Sequence, residues 1–123
     1  MSRIVVKVGT STLTGGTPRL HRPRILELVK QLSALHQNGH EVILVSSGAQ
    51  AAGRERLNFP DYNKSVPFKQ MLAAVGQGRL MHLYSQLFDL YDLTVAQILL
   101  TRDDLSERRR YLNVRDTFAM LLE

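Results

Sequence analysis

The chain has 123 residues, of which 44% are apolar and 22% charged, a composition typical of one ordinary globular domain. It contains no cysteine, which excludes disulfides and thiolate metal sites, and no apolar run approaches the roughly 18 residues of a membrane span. The net charge of +5 arises in residues 1–40, which hold six Lys/Arg and one Glu.

This local excess of positive charge favours an anionic ligand, because it raises the concentration of anions nearby. The alternative is a solvated basic face without a ligand. Nucleic acid is not expected as a partner, because the region has no basic run interleaved with aromatic residues to form a stacking platform. The first apolar run begins too early to leave room for a signal peptide, so we expect a cytoplasmic protein that binds no membrane.

Residues 3–12 predict a β-strand that ends in a glycine loop. Their first half is apolar and β-branched, as is typical of a strand buried on both faces. Lys7 interrupts this run near its carboxyl end, where open α/β sheets bind ligands. N–H groups and hydroxyls that can donate to phosphate oxygens follow at once, from Gly9, Thr10 and Ser11. The alternative is a strand and a polar turn without a ligand, in which the lysine side chain points into solvent.

A second strand ends in a similar way. A helix with one apolar stripe is predicted from Pro23 to a glycine cap at Gly39, and an apolar strand follows over residues 41–45. That strand leads into the polar segment Ser46-Ser47-Gly48. Strand, helix and strand of these lengths predict a right-handed βαβ unit with two parallel strands.

Both loops would then leave the same edge of the sheet. We therefore expect Lys7 and Ser47 to face one crevice, which neither motif indicates by itself. A helix is predicted over residues 50–57, and the alternative role for the serines is to cap its first turn through their hydroxyl oxygens.

The second half predicts a loop, a long helix, a strand and a last helix. The loop covers residues 58–66 and the long helix residues 67–90, where Gly76 and Gly78 suggest a close backbone crossing or a kink, since each costs about 1 kcal/mol against alanine. Residues 94–101 predict a third strand. The last helix runs to the final residue without a cap or tail, so we expect the chain to be part of something longer.

Several motifs together resemble the amino-acid kinase family. They are Lys7-Val8-Gly9-Thr10-Ser11, Val45-Ser46-Ser47-Gly48-Ala49, Ala51-Ala52-Gly53-Arg54 and Lys69-Gln70-Met71-Leu72-Ala73-Ala74-Val75-Gly76-Gln77. Within that family, the last of these and the segments 97–102 and 111–117 resemble the glutamate 5-kinases. The lysine–glycine loop alone is unspecific, because every member has a version, whereas the combined set covers essentially the whole chain.

The resemblance implies an α/β fold, a three-layer αβα sandwich with a mainly parallel sheet that is incomplete in this chain. Residues 1–123 would be the N-terminal portion of an amino-acid kinase domain, without its C-terminal nucleotide-binding half or any PUA domain. The implied reaction transfers the γ-phosphate of ATP to the side-chain carboxylate of L-glutamate, the first step toward proline. This portion is expected to be inactive alone, and the complete enzyme to be a homo-oligomer, with proline as a feedback inhibitor.

The resemblance also implies a division of roles. Lys7 is the expected catalytic residue and contacts the phosphates of ATP together with the loop that follows, at Gly9, Thr10 and Ser11. Glutamate is expected at Ser47, Gly48 and Ala49. ATP and Mg²⁺ are the expected cofactors, with no metal ligand assigned to this chain. A carboxylate is already a nucleophile at pH 7, so positioning and charge neutralisation suffice and no general base is required.

Two alternatives stay open. One is another member of the family, such as an acetylglutamate, aspartate or uridylate kinase, because the residues near Ser47 do not by themselves select the acceptor. The other is a non-catalytic module that binds a ligand or supports an assembly.

Overall fold

Two parallel strands joined by a helical connection form the centre of the fold. In a computed structural model that describes residues 1–61 and 63–123, β1 (Arg3–Val8) pairs in parallel with β2 (Glu41–Ser46). The connection is the short helix α1 (Thr10–Thr14) followed by α2 (Arg22–Gln37). The predicted βαβ unit is confirmed, and with it the α/β class.

Among the described residues, four helices follow the second strand: α3 (Ala49–Arg56), α4 (Val66–Asp89), α5 (Arg102–Ser106) and α6 (Arg108–Leu122). The predicted loop lies between α3 and α4, except that its Tyr62 falls outside the described residues. None of the helices in the described ranges combines the length and the apolarity needed to cross a membrane.

Local signals explain where the helices begin and end. The ring of His21 accepts a hydrogen bond from the backbone N–H of Arg24, and Pro23 occupies the first turn of α2, where it needs no N–H partner. Beyond α2, Gly39 takes a φ of +91°, a left-handed conformation that ends helices and favours glycine. The Ser65 hydroxyl caps α4 by accepting from the Phe68 N–H.

The core lies on one face of the sheet. Side chains alternate along a strand, so Val6 and Val8 of β1 face α2 and α4, where their neighbours include Ile25, Val29, Leu80 and Tyr84. On the opposite, outer face the corresponding side chains are exposed, with Val5 61% and Val45 48% accessible. α2 and α4 therefore cover one face of the sheet. On the other face α5 and α6 line a hollow with Arg3 and Ile43, while Val5 and Val45 are exposed.

The prediction of a third strand over residues 94–101 is wrong for this structure. Among the described residues the sheet has two strands, and this segment pairs with neither. Its start packs near the core through Val95, but Leu99 is 75% exposed. Strand propensity expresses a fit to a half-buried sheet rather than a preference of the backbone alone. Without a neighbouring strand, these apolar residues form an irregular segment.

The segment after Gly9 also differs from its predicted form, because residues 10–14 fold into one helical turn instead of an open loop. Leu13 in that turn is completely buried, and the turn ends at Gly15 with a φ of +65°. Burial of this leucine and the left-handed glycine explain the change, since together they close the turn onto the core.

α3 and α4 cross with their backbones in contact. A Cβ on Gly53 of α3 would overlap the carbonyl of Leu72, and a Cβ on Gly76 of α4 would overlap the carbonyl of Ala49. Around Gly78 there is open space. The predicted close crossing is confirmed for Gly76, and α4 continues as a helix through both of its glycines.

We expect Gly76→Ala to lower the free energy of unfolding by about 1–3 kcal/mol, because an added methyl group must push two helices apart. The matched control is Gly78→Ala in the same helix. It should raise stability by about 0.5–1 kcal/mol, since alanine loses less backbone entropy than glycine and meets no neighbour. Urea unfolding of the two variants measures both effects, and equal stabilities would contradict the close crossing.

Candidate active site

The carboxyl ends of the two strands lie side by side. Val8 pairs with Ser46 at the end of the ladder, and the Ser47 N–H donates to the Val8 carbonyl over 2.9 Å. The pairing thus continues one residue beyond β2, and Gly9 and Ser47 emerge next to each other. This confirms the predicted juxtaposition of the two strand ends.

Lys7 presents its side chain on the exposed outer face of the sheet. It is paired with Val45 of β2, and it lies on the same face of β1 as Val5, two residues away. The ion pairs formed among residues 1–61 and 63–123 do not involve Lys7. The residues around both strand ends, 9–14 and 46–54, contain no Asp or Glu. A cation without a local counter-ion makes this edge attractive to an anion.

The turn after β1 adds donors to this edge. The hydroxyls of Thr10 and Ser11 are exposed in the first turn of α1. Backbone N–H groups in a first turn have no acceptor within their own helix. An added Cβ at Gly9 would meet nothing within 4 Å, so a ligand can approach the backbone there.

The two serines at the end of β2 have different surroundings. The Ser46 hydroxyl lies 2.8 Å from the Tyr84 hydroxyl of α4 and 2.8 Å from the Ser47 carbonyl oxygen. The Ser47 side chain is exposed, and within the described part of the chain its hydroxyl makes no hydrogen bond. Neither serine caps α3, whose N-cap is Gly48 without a side-chain bond, so the capping alternative is wrong.

Gly48 and Ala49 shape the turn from β2 into α3. Gly48 is buried with a φ of +108°, and a Cβ there would lie 2.8 Å from Leu13 Cδ1. Only glycine combines that conformation with that close approach. Ala49 is the first residue of α3, so these two positions can offer a ligand their backbone N–H groups.

Tyr84 was not among the residues that the sequence predicted for the site. It belongs to the apolar stripe of α4, and its side chain is 3% exposed. Burial raises the pKa of Tyr84 above its ordinary value of 10.0, and the hydrogen bond with Ser46 opposes the rise. The two residues are 38 positions apart, so no local pattern could have connected them.

A hollow lies elsewhere, between residues 17–23 and the residues at and after the end of α3. Two of the arginines that line it have partners: Arg22 pairs with Glu55 at 2.8 Å, and Arg19 stacks 4.8 Å above the ring of Phe59. We place the candidate site at the strand ends, where the register puts Lys7 and Ser47 on the same face of the sheet. Among the described residues there is also no cluster of three His, Asp or Glu side chains suited to a metal ion.

The raised pKa of Tyr84 leads to a prediction about alkaline pH. The unfolded chain loses this proton near pH 10, whereas the folded chain holds it to higher pH. The stability from this group is therefore constant below about pH 10 and falls above it, because the unfolded state then binds fewer protons. Tyr84→Phe should lose less stability than the unsubstituted chain between about pH 9 and pH 11, as urea unfolding would measure.

The matched control is Tyr91→Phe, which removes the same hydroxyl from a partly buried position after α4. If Tyr84→Phe and Tyr91→Phe lose stability to the same extent in this range, the special environment of Tyr84 is refuted.

Fold and site together define an α/β protein with a basic, hydroxyl-lined edge at two parallel strand ends. Residues 2–123 match the model of the amino acid kinase family, and the chain belongs to that family.

Among its relatives are three glutamate 5-kinases. That of Herpetosiphon aurantiacus is 62% identical over 121 residues, or 98% of this chain and 33% of the relative. That of Deinococcus radiodurans is 57% identical over 94% of this chain and 32% of the relative, and that of Sodalis glossinidius 53% identical over 98% and 33%. The chain thus spans about a third of the length of these relatives.

Proposed function

We propose that this chain is the N-terminal portion of an ATP-dependent glutamate 5-kinase. The complete enzyme transfers the γ-phosphate of ATP to the side-chain carboxylate of L-glutamate, which gives L-glutamyl 5-phosphate, the first step of proline biosynthesis. The observation that supports this most is the 62% identity to a glutamate 5-kinase across nearly the whole chain.

In this proposal the two strand ends hold the two reactants. Lys7, the loop residue Gly9 and the donors of Thr10 and Ser11 bind the phosphates of ATP, where a first-turn dipole also favours negative charge. Ser47 and the adjoining turn bind glutamate, and the backbone N–H groups used there are those of Gly48 and Ala49.

The reaction needs positioning more than covalent chemistry. An oxygen of the ionised side-chain carboxylate attacks the γ-phosphorus, a new O–P bond forms, and the bond from that phosphorus to the β,γ-bridging oxygen breaks as ADP leaves. Because the carboxylate carries no proton at pH 7, no general base is needed. The Lys7 ammonium neutralises charge on the transferring group, which lowers the repulsion between two anions.

Mg²⁺ is part of the proposal as the companion of ATP. The loops of this chain do not fit it as a ligand shell, because residues 9–14 and 46–54 offer no carboxylate. In the complete enzyme the ion would be held by phosphate oxygens and by residues outside this chain. Homo-oligomerisation, feedback inhibition by proline and a cytoplasmic location stay predictions.

The exposed part of the outer face supports the view that the domain is completed by further residues. Val5 and Val45 expose apolar side chains there, and α6 has no buried residue. In a three-layer sandwich, both faces of the sheet are covered. The C-terminal nucleotide-binding half would cover this face, and without it we expect the chain to be inactive. Any PUA domain would also lie outside residues 1–123.

A chimera tests the function. This chain replaces the matched third of the Herpetosiphon aurantiacus kinase, and the product is assayed for phosphate transfer from ATP to glutamate, N-acetylglutamate, aspartate and UMP. We expect transfer to glutamate alone, and none from the 123-residue chain by itself. Preference for another acceptor would favour another kinase of the family. A folded but inactive chimera would favour a non-catalytic module and overturn the proposal.

Lys7→Ala in the chimera should lower kcat by about 10²–10³-fold, the effect of removing one preorganised electrostatic donor. Lys30→Ala on the exposed side of α2 removes the same charge away from the strand ends and is the matched control. Steady-state kinetics at saturating ATP and glutamate compare the two. A Lys7→Ala chimera that folds and turns over like Lys30→Ala would contradict the role of Lys7.

Ser47→Ala in the chimera should raise the KM for glutamate by about tenfold or more, since a hydrogen bond to a charged group is lost. The KM for ATP should stay unchanged, because the phosphates lie at the other strand end. Ser106→Ala, at the exposed end of α5, controls for the loss of a hydroxyl. A change confined to the KM for ATP would refute this assignment.

A further inference from the structure

A directed chain of hydrogen bonds runs from α4 to the end of β2. The Tyr84 hydroxyl lies 2.8 Å from the Ser46 hydroxyl, which lies 2.8 Å from the Ser47 carbonyl oxygen. A carbonyl only accepts, so the single proton of the Ser46 hydroxyl is used toward Ser47. Tyr84 must then donate to Ser46. Bonds linked in this way polarise and strengthen one another.

This chain fixes the backbone on both sides of Ser47. The Ser47 N–H donates to the Val8 carbonyl, and the Ser47 carbonyl accepts from Ser46. The Ser47–Gly48 peptide is trans, and in a planar trans peptide the N–H and C=O point in opposite directions. The Gly48 N–H therefore points in the direction opposite to the Ser47 carbonyl, which Ser46 holds by a hydrogen bond.

The ring and the hydroxyl of Tyr84 contribute in different ways. The ring packs in the core near Phe88, with ring centroids 6.5 Å apart, and a phenylalanine would fill the same space. The hydroxyl adds no apolar contact, and a buried hydroxyl is costly unless it is bonded. Its distinct effect is on the orientation of the Ser46 hydroxyl.

We propose that Tyr84 is a positioning residue for the substrate carboxylate, acting through Ser46 on the Ser47 hydroxyl and the Gly48 N–H. This inference rests on the proposed function, in which the amino-acid acceptor binds at this turn. When the Tyr84 hydroxyl is removed, the Ser46 hydroxyl becomes free to rotate and to release the Ser47 carbonyl. The acceptor then meets donors that are less well aligned.

The test is Tyr84→Phe in the chimera. We expect the KM for glutamate to rise about 3- to 10-fold, the equivalent of one ordinary hydrogen bond, with kcat and the KM for ATP unchanged. Tyr91→Phe is the matched control and should change none of these values. A purely structural defect would lower kcat or shift both KM values together, and either result would overturn the inference.

Variants at Ser46 test the chain of bonds itself. Ser46→Ala should reproduce the rise in the KM for glutamate, and Ser46→Thr, which keeps the hydroxyl, should restore the unsubstituted value. The double variant Tyr84→Phe with Ser46→Ala should be no worse than either single variant, because both break one chain. Additive effects would show that the two residues act separately and would overturn the inference.

The unsubstituted chimera separates the two hypotheses. If it does not phosphorylate glutamate, the proposed function fails and this inference fails with it. If it is active and Tyr84→Phe leaves the KM for glutamate unchanged, only the inference fails. Should Tyr84→Phe impair folding, as seen in its thermal unfolding, the Ser46→Ala and Ser46→Thr pair decides the question.

Discussion

The parallel pairing of β1 with β2 is the constraint on which the rest of this chain depends. Its register sets Lys7 level with Val45 and Val8 level with Ser46. A slip of one residue would turn the side chains of one strand to the opposite face, because their period along the strand is two. The lysine would then point into the core, and Val8 into solvent. The register thus decides both which side chains face the core and where the cation lies.

α4 supports both strand ends, although it lies far from them in the sequence. Leu13 of α1 and Leu80 of α4 are both buried next to Gly48, where a Cβ would collide with Leu13. Gly53 of α3 and Gly76 of α4 bring the backbones of these two helices together. The turn from β2 into α3 therefore packs against both α1 and α4.

Much of the fold could be predicted because its signals are local. Apolar spacing and flanking glycine or proline residues identify β1, α2, β2 and α4 within a few positions each. Contacts between distant segments could not be predicted in this way. Gly76 indicated a close crossing of helices, but no pattern identified Gly53 as the residue that it meets. In the sequence Tyr84 looks like one more core residue of α4, and nothing indicates the partner of its hydroxyl. Residues 94–101 are apolar enough for a strand, but among the described residues they have no neighbouring strand to pair with.

The exposure of Lys7 limits how strongly its charge can attract an anion. Two unit charges 4 Å apart attract by about 1 kcal/mol in water but by about 4 kcal/mol at an effective dielectric constant of 20. On the exposed part of the outer face the Lys7 ammonium is surrounded by water, so its attraction for a phosphate is near the lower value. Covering Val5 and Val45 with further protein would exclude that water without moving β1 or β2. The same lysine, in the same register, would then attract an anion several times more strongly.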